Sequence, residues 1–124
     1  MLRGAVVILF DKDDRTLLLK RDSSTRFAPE RWGLPGGKIE KDETPKDAAI
    51  RETKEETNLA VTGLEELGRF DLVAAYFTRE YEGDISIDHE HTDWAWVSQG
   101  DLKDYKLAPN VLDIHRKARY HGKQ

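Results

Sequence analysis

The sequence contains no cysteine. Disulfides and thiolate-held metals are therefore excluded, and any bound metal must rest on oxygen or imidazole ligands, which suits a hard cation such as Mg²⁺. Long apolar runs are missing too. The longest, residues 5–10, has six residues, far below the roughly 20 of a membrane span. Neither the length nor the cleavage pattern of a secretory signal is present, so a soluble, cytoplasmic protein with no membrane contact is expected. No one sign of charge dominates. With 20 Lys plus Arg against 24 Asp plus Glu the formal net charge is −4, which disfavours a general nucleic-acid backbone binder. Proline is scarce, with none between Pro45 and Pro109, and repeats, linkers and low-complexity segments are absent.

The 124 residues that are present fit one domain, residues 1–124. Residues 2–10 are almost continuously apolar and predict a strand buried on both faces. The polar DKDDR then reads as a turn into a second strand at 16–20, giving a hairpin. Residues 22–32 form a loop that carries Phe27 and Trp32 into a glycine-rich turn. Thr44 suits a helix N-cap, Pro45 the first helical position, and Asp47 stands three residues after the cap, so a helix is predicted from there to about Asn58. Further strands are predicted at 61–64, 68–78 and 94–97, with a polar loop at 84–93. A short turn or helix follows at 98–105. Pro109 opens a last helix with Val111, Leu112, Ile114 and Ala118 on its apolar side. This order predicts an α/β fold, a mixed sheet covered by helices.

The predicted central helix carries Glu52, Glu55 and Glu56 beside Arg51 and Lys54. Spacings of three and four place the three carboxylates on one helix face. Like charges so placed cost roughly 0.2 to 0.5 kcal/mol per pair. Two readings stand: a solvated acidic face, or a site where a divalent cation turns repulsion into a coordination shell.

The spacing extends beyond the helix. Gly37, Glu43, Arg51, Glu52, Glu55, Glu56 and Leu59 follow the pattern G-x5-E-x7-R-E-U-x-E-E-x-G-U, with U apolar, and the segment resembles the Nudix box. The six Gly, Glu and Arg matches, leaving Leu59 aside, arise by chance on the order of once in 10⁴ to 10⁵ chains of this composition and length. The strand pair before the box, the lead-in GLPGGKIE and the later HTDWAWV also resemble Nudix proteins of the MutT type, so the likeness covers most of the chain. Two positions depart from the pattern. Thr53 stands at an aliphatic position but still offers a methyl group, and Asn58 replaces the last glycine. After glycine, asparagine best tolerates the left-handed conformation that ends a helix.

The resemblance implies the Nudix fold, a mixed β-sheet sandwiched between α-helices, and roles for particular residues. Glu52, Glu55 and Glu56 bind Mg²⁺, with Mn²⁺ as the alternative, helped by the backbone at Gly36 and Gly37. Arg51 braces the glutamates, and Glu43 supports the geometry of loop and helix. The implied reaction is attack of a metal-activated water on phosphorus in a diphosphate linkage. Its general base is one of the helix glutamates or Glu90, which is either that base, an added metal ligand, or an exposed loop acid. His89 and His91 flank Glu90, but no third zinc ligand is apparent, and both are expected at the surface or the substrate's edge.

Substrate-contacting residues are less defined. Phe27, Trp32, Tyr76 and Phe77 stack a base or fill the core, and Trp94 and Trp96 are expected in the core. Arg21 reaches phosphate or base, or is an ordinary surface arginine. Asn110, in LAPN, reads a purine edge or caps the last helix. The resemblance points to hydrolysis of nucleoside triphosphates, oxidised purine nucleotides included. Dinucleoside polyphosphates are the alternative substrate, and a non-catalytic nucleotide-binding module is the alternative of another class. Such a module would be expected to lose box carboxylates, all of which this chain keeps. The expected partner is a small nucleotide, and the sequence leaves the oligomeric state open.

Overall fold

Two apolar strands in parallel register form the centre of the protein in the computed structural model, which describes residues 1–121. The expected domain span, 1–124, takes in residues 122–124, which lie outside the described ones. The element order is β1 (Gly4–Leu9), β2 (Thr16–Arg21), β3 (Trp32–Gly33), β4 (Gly36–Lys38), α1 (Pro45–Thr57), β5 (Ala60–Thr62), β6 (Glu65–Phe70), β7 (Val73–Thr78), β8 (Glu80–Glu82) and β9 (His91–Val97). A 3₁₀ turn, Gln99–Asp104, and α2 (Val111–Tyr120) complete it.

The main sheet has the order β4-β1-β7-β6. Within it β1 runs parallel to β7 and antiparallel to β4, and β6 is antiparallel to β7, so the sheet is mixed. Strand β1 is apolar on both faces because both are covered. Ala5, Val7 and Leu9 meet Leu17, Leu19 and the α1 residues Ala48 and Ala49 in one core cluster. Ile8 and Phe10 meet Ile114 and Ala118 of α2 in another. A second, antiparallel sheet, β3-β2-β9, turns Leu18 toward Leu102, Ala108 and Val111. Strands β5 and β8 pair separately. Among the described residues no helix is long and apolar enough to cross a membrane.

The helix termini follow the local sequence. Thr44 Oγ1 accepts a hydrogen bond from Asp47 N at 3.1 Å, Pro45 opens α1, and Asn58 ends it at φ 67° while its N–H donates to the Lys54 carbonyl. Other expectations need correction. The predicted hairpin does not form: β1 and β2 lie in different sheets and share only an isolated bridge between Phe10 and Thr16. Both edges of β1 are taken by β4 and β7, and both edges of β2 by β3 and β9. The predicted strand at 68–78 is two strands, β6 and β7, reversed at Asp71, whose φ is 54°. Strand β9 begins three residues before Trp94, and β8 occupies a stretch with no strand prediction.

Candidate active site

The glycine pair and α1 form the site together. Gly36 pairs with Val6 and Gly37 with Ala5 in β1, which draws the start of β4 under the helix. A Cβ on Gly37 would collide with the Glu52 carboxylate, so the glycine is where that side chain lies. Gly36, at φ +150°, gives its N–H to Glu56 Oε1 at 3.0 Å.

Arg51 is the hub of the helix face. Its Nε and Nη2 donate to the two oxygens of Glu43 at 2.8 and 3.0 Å, and Nη1 donates to Glu52 at 2.6 Å and more loosely to Glu55 at 3.3 Å. Nη2 also reaches the Lys38 carbonyl at 3.0 Å, tying helix to β4. Glu43 in turn accepts from the Glu40 N–H. Bonding to Arg51 holds the Glu43 carboxyl down at about 2 and raises the arginine's own pKa further.

The three glutamates sit at different depths. Glu55 is mostly exposed, Glu52 is largely covered, and Glu56 is 3% exposed. Burial raises Glu52, an effect that Arg51 opposes and that Glu55 and Glu90 reinforce. Burial pushes Glu56 up to about 8, against the Gly36 hydrogen bond, and the charges of Glu52, Asp88 and Glu90 push the same way. Glu90 is exposed, and its charge is felt at both Glu52 and Glu56. Its carbonyl accepts from Asp22 N at 2.9 Å, which ties its loop to the end of β2.

The same loop supplies two residues that sequence reasoning misplaced or missed. His91, expected at the surface or the substrate's edge, is 7% exposed. Its Nδ1 lies 2.7 Å from Asp88 Oδ1, and Asp88 N donates to the Glu56 carbonyl at 3.3 Å. Glu56, Asp88 and His91 each offer a ligand atom, all within 4.8 Å of one another. The i,i+3 spacing of Asp88 and His91 was the available signal. Their approach to Glu56 crosses 32 residues of chain and leaves no local trace. His89 is exposed, as expected.

This donor set fits a hard divalent cation. Glu56 is a buried carboxylate surrounded by further acids, and among the described residues no Lys or Arg side chain bonds it, since Arg51 is spent on Glu43, Glu52 and Glu55. An oxygen-seeking cation supplies the missing positive charge and favours the ionised form.

The substrate candidates fall into separate places. Arg21 Nε donates to the Phe27 carbonyl at 2.6 Å, and its guanidinium lies 5.8 Å from the centroid of that ring, which is 60% exposed. Arg21 also pairs in register with His91, so Arg21 and Phe27 lie beside the Glu90 loop. Trp32 is half-buried, edge-on to Tyr105 at 5.0 Å, and its backbone brackets the 106–108 segment leading to Asn110. Asn110 precedes α2 at φ 74° with no side-chain cap hydrogen bond, so the side chain is not acting as a cap. Tyr76 requires correction as a stacking residue: at 7% exposure it packs in the core cluster beneath α1, and it has no free face. Phe77 is core as well, against Ile114 and Ala118. Trp96 stacks on Tyr81, whereas Trp94, expected in the core, is 39% exposed although it shares the face of β9 that carries Trp96 and pairs with the buried Leu19.

A family profile described as the NUDIX domain matches residues 1–118. The CTP pyrophosphohydrolase of Escherichia coli (strain K12) is 30% identical over 117 residues, covering 88% of this chain and 85% of that protein. A bis(5'-nucleosyl)-tetraphosphatase [asymmetrical] of Caenorhabditis elegans is 30% identical over 102 residues, covering 69% of this chain and 74% of its own length. Among solved structures, the MutT protein from Methanosarcina mazei Go1 superposes with a TM-score of 0.81 at 27% identity, over 97% of this chain and 94% of that one. The α/β sandwich is thus the fold of the MutT proteins.

Proposed function

The chain belongs to the NUDIX family of hydrolases, and on that premise we propose that it cleaves a diphosphate linkage in nucleoside triphosphates with Mg²⁺ or Mn²⁺. One observation carries this reading: Glu56 is buried among acids with no cationic side chain bonded to it among the described residues, while Arg51 fixes its neighbours. When bound, such a cation would supply charge neutralisation at the transferring phosphoryl group and activation of the attacking water. In this reading Glu52, Glu55, Glu56 and Asp88 would hold it, with His91 orienting Asp88 and the Gly36–Gly37 backbone alongside.

Glu90 is the general base of this proposal. It is exposed, and its charge is felt at both Glu52 and Glu56. The base takes one proton from water as the oxygen bonds to phosphorus, and the bond from phosphorus to the leaving phosphate oxygen breaks. Arg51 is a positioning residue in this scheme, and Glu43 acts through it. Arg21 and Phe27 offer a charge and an open aromatic face beside the Glu90 loop, and Asn110 offers an amide that makes no cap hydrogen bond to α2. That amide supports a reader of base edges, oxidised purines included. A cytoplasmic setting, where nucleoside triphosphates are used, is part of this reading.

The tetraphosphatase relative supports a second reading, hydrolysis of dinucleoside polyphosphates. A panel of nucleoside triphosphates, dinucleoside polyphosphates and nucleotide sugars with Mg²⁺ in heavy-oxygen water separates the two. The triphosphates should be the best substrates, with label in one phosphate product. Turnover confined to dinucleotides would move the assignment to the second reading. No metal-dependent turnover of any of them would favour a nucleotide-binding module.

A further inference from the structure

Asn58 stands where the box pattern has glycine, and its side chain makes bonds that a glycine cannot. Its Oδ1 accepts from Lys54 Nζ at 3.1 Å, and the same ammonium lies 3.3 Å from the Asn58 carbonyl oxygen. A lysine can only donate, so the amide oxygen faces it and the amide nitrogen is turned the other way. There Nδ2 donates to the Asp84 carbonyl at 3.2 Å.

That bond is the first rung of a ladder between the end of α1 and the loop that carries Asp88, Glu90 and His91. Ser86 N donates to the Thr57 carbonyl at 2.9 Å, and Asp88 N to the Glu56 carbonyl at 3.3 Å. Successive residues at the helix end, 58, 57 and 56, thus meet alternate residues of the loop, 84, 86 and 88. The residues between, Ile85 and Ile87, pack against the core cluster beneath α1, as the two-residue period of an extended chain requires. The Thr57 and Glu56 carbonyls belong to the last turn of the helix, where carbonyls lack intrahelical partners. Loop and helix end therefore satisfy each other. Gly83 lets the ladder start close in, since a Cβ there would lie 2.9 Å from the Asn58 carbonyl oxygen. Of the three rungs, the first is the one made by a side chain. A slip of one residue would turn Ile85 and Ile87 outward and carry Asp88 away from Glu56.

We propose that Asn58 is a positioning residue of the cation site: its amide fixes the register of the 83–88 segment and so keeps Asp88, with His91, at Glu56. This inference rests on the reading that these groups hold the cation. Glycine at this position would keep the helix end and leave the first rung unmade. One hydrogen bond of this exposed kind shifts a closing equilibrium about threefold to tenfold, so without it the site loosens rather than fails.

The test compares the full chain with Asn58→Gly and Asn58→Asp, two residues that accept the left-handed backbone. Aspartate keeps an acceptor for Lys54 but has no donor for the Asp84 carbonyl. In EDTA, hydrogen exchange at the Ser86 and Asp88 amides should quicken about threefold to tenfold in both variants, measured against the Val7 amide, which is bonded to the Pro35 carbonyl in the core. Electron paramagnetic resonance of free Mn²⁺ should show the cation's affinity lowered by a similar factor, a change that loss of a helix cap alone would not produce. Unchanged exchange at both amides in Asn58→Gly overturns the inference. So does wild-type exchange in Asn58→Asp, because the donor would then be dispensable. Quickened exchange with unaltered Mn²⁺ affinity breaks the link between Asn58 and the site and overturns it too. An unaltered chain that binds no Mn²⁺ refutes the cation reading itself, and is told apart from these outcomes because the exchange rates in EDTA do not depend on the cation.

Discussion

Glu56 shows how one residue can be out of place by itself and right in its surroundings. A carboxylate 3% exposed, raised to about 8 by burial, is protonated at neutral pH when no cation is bound. Its folded pKa lies above the unfolded value of 4.5, so its contribution to stability is fully present below about 4.5 and is lost as pH rises through about 8. In EDTA the melting temperature should therefore fall between those limits, by an amount on the order of a few kcal/mol in stability. Glu56→Gln should flatten this dependence, and Mg²⁺ should suppress it by holding the ionised form. A melting curve of the metal-free protein that stays level across that range would contradict the buried, protonated state.

Thr53 makes a simpler case at the same scale. It is fully buried on α1, and its Oγ1 has no hydrogen-bond partner among the described residues. Thr53→Val keeps the shape and removes the unpaired hydroxyl, so stability should rise by about 1 kcal/mol. Thermal unfolding would register this as a gain of roughly 3 to 5 °C. The aliphatic residue of the box pattern is thus the physically better one here.

At the scale of the element, α1 works as a charged rack. Arg51 spreads its donors over Glu43, Glu52, Glu55 and the Lys38 carbonyl, so one planar group sets helix, loop and β4 in register. A lysine keeps the charge but cannot reproduce the fork. Arg51→Lys should lower kcat/KM about tenfold to a hundredfold, while circular dichroism stays that of the folded protein. Restoration of Mg²⁺ dependence at higher cation concentration would mark the loss as one of positioning. Unchanged steady-state kinetics would show that the fork is dispensable. The ends of α1 were legible locally, because a cap, a proline and a left-handed asparagine act within four residues. The split of residues 68–78 was not, since β-rich composition on both sides hid a reversal at Asp71 and Leu72.

At the scale of the whole molecule, the site depends on packing between distant segments. The 83–90 loop closes over α1 through Asp88 N to the Glu56 carbonyl, Ser86 N to the Thr57 carbonyl and Asp22 N to the Glu90 carbonyl. His91 underlies it by fixing Asp88. His91→Phe fills the space but releases Asp88, and should raise the Mg²⁺ concentration for half-maximal hydrolysis about tenfold. The same half-maximal concentration in both proteins would remove Asp88 and His91 from the cation's surroundings.

The sequence by itself determined the helix, its caps, the carboxylate row and the glycines, because each rests on interactions between residues a few positions apart. Through the fixed offsets of Gly37, Glu43, Arg51, Glu52, Glu55 and Glu56 it also carried the resemblance that implied the family and its chemistry. Only the tertiary structure decided which sheet β1 and β2 join, that Tyr76 is core and Trp94 is not, and that Asp88 and His91 stand beside Glu56. Strand partners are chosen by which edges and faces the rest of the chain covers, and burial of a single side chain is decided by elements tens of residues away. Periodicity reports that a face will be covered; it carries no information about what covers it.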